Sequence, residues 1–563
     1  MKKPILSFFN ENNLTPRTLQ INVLNHIEEN WDKFKYFIID APTGTGKTYI
    51  ADSIANAAQN AYIITSSIQL QNQYEKSWIE IVNLKGRGNY QCNLNPDFTV
   101  DCAPCTAQPE LIKGCISGKI CAYYNQRDKA LASPVMLTNP LYMLYSVHCG
   151  FASETSTTNV PQGVEREVMI IDEAHNLENH LIQFSESKLN LENLSSKFKI
   201  KIPGFVTENL PENYELVQKL HAELKEKSQQ LQQQIQDEFP GLSTEQIASM
   251  KQWARGISKK VAEKANKLNK QLYELDKVLQ AINIFFSTHQ SFEELSSRWL
   301  IHPDVKEQTL TLTPLKAYFL FHAYFGKLAR KFVFMSATIG NCDQFCKELG
   351  IPLDETFYIE SPTPFDPQKS PIIVLPLLKM GYKDIDKTIP QMIATVDQIM
   401  DEHKDVAGII HSATYKISNE ILLKLSRINR NRLIARDMTD GQKYNNQTLI
   451  DMHTSSKKKN TVLLSPSLME GIDLYDDLSA FQIILKFPWA SLMDPRVKAK
   501  SQNEPNWYSN QMWVSVMQAS GRSTRHEEDS SVTYILDASF EYFYNTYKTN
   551  LPKWFKDRIV FLK

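Results

Sequence analysis

The chain has almost no net charge, no long apolar run and little cysteine. Lysine and arginine number 62 against 63 acidic residues, a formal net charge of −1. That balance names no partner, because a nucleic-acid binder needs only a local basic stripe along the phosphate path. No stretch approaches the roughly 18 apolar residues that cross a bilayer, and MKKPILSFFNENN has too short an apolar run for a secretory signal. The expectation is a soluble, cytoplasmic protein with no membrane association. Internal repeats are absent, and no separate nuclease signature stands at either terminus. At 563 residues the chain exceeds one core, and length implies about three or four domains. Hydrophobic residues at 42% and aromatics at 10% suffice to bury them.

Of the eight cysteines, five crowd into one segment: Cys92, Cys102, Cys105, Cys115 and Cys121. In a reducing compartment disulfides are disfavoured, so clustering points to metal or cluster ligation. Cys149, Cys342 and Cys346 read as ordinary buried thiols. A [4Fe–4S] cluster needs four thiolates and would leave one spare; on spacing alone, zinc on four cysteines is an equal alternative.

The first ~85 residues alternate helix and strand as in a parallel α/β sheet. A helix over 17–30 precedes the strand YFIID (36–40), a glycine-bearing loop and a helix from Lys47 to Ala58. AYIIT, PVMLT and VMIID follow as apolar strands. Residues 181–300 change character, with charged helices and few strand signals. Val261, Leu268, Leu272, Leu275, Leu279 and Ile282 recur with Ile257 at helical spacing, Ser243 and Gln246 resemble a capping box, and ELVQKLHAELKEKSQQLQQQIQDEF reads as an antiparallel partner. After FVFMSAT (332–338), the strands IIVLP, VAGIIHS, RLIAR, TVLLS and FQIILKF predict a second α/β unit.

APTGTGKT (41–48) lies between a strand and a helix, the context a P-loop requires. Gly44 and Gly46, with Thr43 and Thr45, let backbone N–H groups face phosphate oxygens without an intervening Cβ. Lys47 supplies a charge at the β/γ-phosphates, and Thr48 a hydroxyl for Mg²⁺. VMIIDEAH ends a strand at Asp172, a second Mg²⁺ ligand, with Glu173 beside it as general base. QASGRSTR (518–525) places Arg522 and Arg525 three apart, suited to γ-phosphate charge. Arginines from another domain would permit hydrolysis only when a cleft closes. Together these motifs imply an ATPase.

The series APTGTGKT, DEAH, MSAT, SPSLMEGIDL and QASGRSTR resembles superfamily 2 helicases. KGRGNYQC before the cysteines and TNPLYML after them narrow the resemblance to the XPD/DinG-like iron–sulfur helicases. It covers almost the whole chain. It implies an α/β fold with two RecA-like parallel-sheet motor domains, an inserted iron–sulfur domain and an inserted helical arch. The corresponding boundaries are 1–86, 131–180 and 301–350 for motor domain 1, 87–130 for the iron–sulfur domain, 181–300 for the arch and 351–563 for motor domain 2. The resemblance further implies Arg17 and Gln20 near the base, Gly471 and Asp473 sensing nucleotide from the second motor domain, and Gln518 joining Arg522 and Arg525. For the cluster it implies Cys92, Cys105, Cys115 and Cys121, with Cys102 the alternative to Cys105, or Cys102 and Cys105 together with Cys115 left free. The chain departs from the pattern after Cys121, where Ala-Tyr-Tyr replaces Pro-Tyr.

A translocating strand needs sequence-blind phosphate contacts and stacking platforms. Lys85, Arg87, Tyr123 and Arg127 flanking the cysteines, and Trp489 in the second unit, are the candidates. The expected function is a monomeric ATP-dependent helicase moving 5′ to 3′ on single-stranded DNA and opening 5′-tailed duplexes, forks or R-loops in replication or repair. Two alternatives are an ATPase that strips RNA or protein from DNA, and an inactive nucleic-acid-binding scaffold. Abundant Asn, Lys and Ile hint at an AT-rich bacterial or viral genome.

Overall fold

The computed structural model describes the chain except residues 43, 95, 102, 104–114, 117–118, 149–163, 239–258, 290, 364–365, 382–383, 437–443, 467–477, 522–529 and 563. Two seven-stranded parallel sheets dominate it. The first runs, edge to edge, Thr356–Glu360, Tyr36–Asp40, Ala329–Ser336, Arg166–Asp172, Ala61–Ile64, Val135–Thr138 and Ile81–Asn83. Its central strands carry apolar, buried middles with polar residues at their ends, as parallel strands covered by helices on both faces do. The second runs Leu433–Ala435, Val462–Ser465, Gly408–His411, Phe481–Ile484, Val532–Asp537, Ile372–Leu378 and Ile559–Phe561.

Register decides where chemistry can occur. Asp40 pairs with Ser336, and Asp172 with Met335. Three neighbouring strands therefore end level, and the loops after them meet at one edge of the sheet. The carboxyl ends of such strands are where open α/β sheets bind ligands.

The insert departs from the sequence expectation in one respect. Its two long helices, Leu210–Glu238 and Lys259–Ser287, do pack antiparallel: Tyr214 faces His289, His221 faces Asn283, and Ser228 donates to Asp276. Leu272, Leu275, Leu279 and Ile282 are buried as the apolar stripe requires; Ile257, Ser243 and Gln246 lie outside the described residues. The helices stand, however, on a three-stranded antiparallel sheet of Ser187–Asn190, Thr309–Pro314 and Trp299–Asp304. Proline inside two of these short strands (Pro303, Pro314) masks their signal. The insert thus extends to Pro314, past the expected 300. Thr356–Glu360 likewise pairs with Tyr36–Asp40, so the first sheet takes residues beyond the expected limit at 350.

Candidate functional site

Gly44 and Gly46 both take φ of +78° in the loop after Tyr36–Asp40, a conformation glycine adopts without steric cost. A Cβ on Gly46 would also meet Gln20 Nε2 at 2.3 Å. Gln20 Nε2 donates to the carbonyls of Thr45 and Gly46 at 3.2 and 3.4 Å, and Arg17 Nη1 to that of Gly44. The two residues expected near the base therefore grip the loop itself. Thr45 Oγ1 turns inward to the Pro42 carbonyl, 2.8 Å away, which the Thr45 N–H also meets at 3.4 Å. Lys47 Nζ, at the start of Lys47–Ala58, rests on the Ala41 carbonyl at 3.2 Å.

These residues line a cavity of about 360 Å³ with Thr48, Asp172 and Glu173, and with Phe9, Leu14 and Tyr49 on its apolar side. Asp172 sits at the strand end, its Oδ2 accepting from Tyr74 Oη at 3.0 Å and its Oδ1 from the Glu173 N–H at 2.9 Å. Burial and the neighbouring Glu173 charge push its pKa up to about 6, against the pull of Lys47. Thr48 Oγ1 accepts from Gln73 Nε2 at 3.2 Å. Adjacent residues of the helix Ile68–Tyr74 thus hold the two candidate Mg²⁺ ligands. Neither Gln73 nor Tyr74 was marked by a motif in the sequence; both sit where a polar group on a helix end reads as ordinary.

Glu173 adopts the left-handed conformation, φ +53°, uncommon for a residue with a Cβ. This aims the side chain at the cavity. His175 Nδ1 lies 3.3 Å from Glu173 Oε2 and 2.8 Å from Ser336 Oγ, and Ser336 Oγ accepts from the Thr338 N–H at 3.0 Å. On its other side His175 Nε2 meets the amide of Gln518, near the end of Pro505–Ser520 in the second sheet's domain. If the amide donates, Nδ1 carries the proton and donates towards Ser336 or Glu173. One imidazole therefore links DEAH, MSAT and QASGRSTR. Arg522, Arg525, Gly471, Asp473 and Thr43 lie outside the described residues, so Gln518 is the member of that second-domain set whose place is known.

Among the cysteines, Cys92, Cys115 and Cys121 are buried in one core, while Cys102 and Cys105 lie outside the described residues. The Ile120 N–H donates to the Cys115 carbonyl at 2.9 Å. Asn93, next to Cys92, donates to the Ile120 carbonyl at 2.7 Å. The three loops are thereby tied together. Among the described residues no group of three His, Cys, Asp or Glu side chains closes on a common metal position. A cluster held by four cysteines would need these three thiols drawn together and a fourth donor from outside the described residues.

The surface candidates fare unequally. Tyr123 is 7% exposed; its Oη pairs with Tyr142 Oη at 2.8 Å, and the ring packs edge-on to Tyr90 and Tyr124. As placed it cannot stack on a base, which corrects the sequence reading: its bulk was absorbed by an aromatic box. The box instead carries cations, with Arg87 5.5 Å from the Tyr123 ring and Arg127 4.6 Å from that of Tyr124. Lys85 Nζ reaches Asn72 Oδ1 at 3.3 Å. Trp489 is 37% exposed and stacks on Tyr508 at 5.8 Å.

Known proteins place this geometry. A family described as helicase C-terminal domain matches residues 399–558, and one described as type III restriction enzyme, res subunit, matches residues 13–205. No curated protein matches the chain. A solved XPD helicase aligns at a TM-score of 0.60 with 15% identity, covering 97% of this chain and 100% of its own. The chain shares the fold of this XPD helicase and carries a helicase C-terminal domain match in its second half. Xpd4 of S. tokodaii aligns at 0.58 with 12% identity, and an XPD in its apo form at 0.54 with 14%, each over 97% of this chain and 100% of its own. No helix among the described residues is long and apolar enough to cross a membrane.

Proposed function

We propose that the chain is an ATP-driven DNA helicase that moves 5′ to 3′ on a single strand and opens 5′-tailed duplexes, forks or R-loops. The observation that carries this reading is the His175 bridge. It joins the P-loop cavity, the DEAH carboxylates and the second motor domain through a single side chain.

In this reading Lys47 leaves the Ala41 carbonyl for the phosphates, and the Gly44 and Gly46 backbone completes the cradle. Thr48 Oγ1 and Asp172 would hold Mg²⁺, which when bound neutralises phosphate charge. Glu173 Oε takes the proton of the attacking water, while His175 fixes the carboxylate and senses the second domain through Gln518. Arg522 and Arg525 would meet the γ-phosphate as the domains close. Cys92, Cys105, Cys115 and Cys121 would hold a [4Fe–4S] cluster, which when bound cross-links an irregular insert. Lys85, Arg87, Arg127 and Trp489 would line the strand's path, with Tyr123 supporting Arg87 from beneath.

Two measurements test the reading. Anaerobically purified protein should contain iron and unwind 5′-tailed but not 3′-tailed duplexes with ATP. Strong DNA-stimulated hydrolysis without unwinding would favour a stripping translocase, and zinc in place of iron would remove the cluster. Lys47→Ala should lower ATP turnover by on the order of 10²–10³-fold, the usual cost of deleting one preorganised electrostatic contact to a transition state; unchanged turnover would overturn the assignment of the site.

Tyr74→Phe tests the support beneath the carboxylate. A hydrogen bond to a charged group contributes roughly 1.5–3 kcal/mol, a neutral one about 1. The half-saturating Mg²⁺ concentration for hydrolysis should rise by about 5- to 10-fold, with the ATP KM at saturating Mg²⁺ little changed. An identical Mg²⁺ titration would show that Asp172 needs no such support.

A further inference from the structure

The two motor domains meet over charged side chains almost wholly removed from water. Glu178, in the first turn of Leu177–Ser185, follows Glu173 on the same short segment. It pairs with Arg496, accepts from Lys500 Nζ at 3.1 Å, and accepts from Trp507 Nε1 at 3.0 Å. Lys500 also pairs with Glu348, on the helix Cys342–Leu349 that follows MSAT, and Gln344 Nε2 donates to Glu348 at 2.7 Å. Arg496 Nε donates at 2.9 Å to the carbonyl of Pro314, the last residue of the insert's sheet. Both cations lie over the Trp507 ring, at 5.3 and 4.3 Å. Glu178, Glu348, Arg496 and Lys500 are each at most 8% exposed.

Such a cluster is expensive to open. Separating the partners would leave unpaired charge out of water, a state buried ion pairs avoid. Burial opposes ionisation of Glu178, yet Lys500 and Arg496 hold it down to about 2; burial and the Glu178 charge push Glu348 up to about 7. Lys500 lies against both carboxylates at once. Motion of one side of the contact must carry the other with it.

The cations sit one turn apart on Pro495–Asn503, whose N-cap is Asp494. Directly before that helix runs an exposed apolar loop, with Trp489 37%, Leu492 53% and Met493 91% exposed. Trp489 is held from behind by Tyr508 and by a 3.3 Å bond from its Nε1 to Ser539 Oγ. One short stretch therefore offers a stacking surface at one end and grips the DEAH segment at the other.

Resting on the reading of the chain as a strand-stimulated ATPase, we propose that Glu178 is a positioning residue. Through it, the helix Pro495–Asn503 passes the engagement of a nucleic-acid strand on residues 489–493 to Glu173, and so couples strand binding to hydrolysis. Arg496 draws the insert's sheet into the same movement through Pro314.

The test compares ATP turnover with and without oligo(dT) in Glu178→Gln, Lys500→Gln and the double variant, together with ATP KM and oligo(dT) affinity by fluorescence anisotropy. The ratio of stimulated to basal turnover should fall about tenfold in Glu178→Gln, within the range of measured inter-site couplings. Oligo(dT) affinity and ATP KM should stay within about twofold, below the roughly fivefold at which inter-site couplings are typically read. The double variant, which removes a charge of each sign, should lose stimulation by no more than the worse single change, because the pair acts as a unit. It also carries the test if Glu178→Gln does not fold. Equal loss of basal and stimulated turnover in folded protein, or a ratio like that of the unaltered chain, overturns the coupling. An unaltered chain whose hydrolysis ignores oligo(dT) overturns the underlying reading and the coupling with it.

Discussion

Replacing Glu173 by glutamine is expected to lower ATP turnover by about 10²–10⁴-fold, the contribution of a positioned general base, while ATP still binds. The substitution is nearly isosteric, so the left-handed backbone at φ +53° and the contact towards His175 can persist. What disappears is a carboxylate able to accept a proton from water inside the cavity. Binding rests on other atoms: the Gly44 and Gly46 backbone, Lys47, and Arg17 with Gln20 behind the loop. Turnover and nucleotide affinity should therefore separate cleanly. The check is single-turnover hydrolysis beside equilibrium binding of a fluorescent ATP analogue. A fall of less than tenfold would move the base to another residue, and a parallel loss of binding would make Glu173 a structural part of the pocket.

The nucleotide half of the site was legible because its signals are local. A P-loop is a short run whose glycines, lysine and hydroxyl act through adjacent backbone, and the flanking strand and helix are equally local. The strand ending at Asp172 could be read the same way. What could not be read was register and long-range pairing. Nothing in NLENHL distinguishes Glu178 from a solvated helix residue until Arg496, Lys500 and Trp507 arrive from the other domain. His175 was visible as part of DEAH, but its bridging role depends on Ser336 and Gln518 lying on either side of it. The small antiparallel sheet escaped because its strands are short and carry proline. Tyr123 misled for a different reason: aromatic next to arginine suits a stacking surface and a packed cation–π box alike. Burial alone separates them.

The same dependence on distant partners recurs in how the chain ends its helices. The last carbonyls of a helix lack intrahelical donors, and here buried arginines from distant segments supply them. Arg432 donates to the carbonyls of Met400 and His403, at the end of the helix Ile385–Glu402, and also to those of Val406 and Asn460 in loops nearby. Arg558 donates to that of Ser520, at the end of the helix that presents Gln518. A guanidinium suits this work because it stays charged and spreads five donors in a fixed plane.

Arg166 is the instance with the widest consequence. It begins the strand that ends at Asp172, and its guanidinium reaches the carbonyls of Ala130, Leu131, Ser133 and Pro134 at 2.8–3.3 Å, lying 4.7 Å from the Tyr62 ring. The first two close the helix Ala122–Ala132, which leaves directly from Cys121, and the other two belong to the link from it to the strand Val135–Thr138. Arg166→Met would keep the apolar stem over Tyr62 yet take this donor from the half-buried Leu131 and Ser133 carbonyls, while that of Ala130 keeps Ser133 and that of Pro134 keeps the Ala61 N–H; an acceptor left unsatisfied costs roughly 1–3 kcal/mol. A net loss of about 1–3 kcal/mol is expected, a noticeable share of a typical domain's 5–15 kcal/mol. Urea unfolding should shift to lower concentration, and limited proteolysis should cut near residues 122–134 before the rest of the first motor domain. Arg166→Lys, able to reach fewer acceptors, should fall between. If Arg166→Met unfolds at the unaltered midpoint, water must be able to satisfy these carbonyls, and the cysteine-bearing segment must be fastened to the motor by its own loops rather than by the strand beneath the catalytic carboxylates.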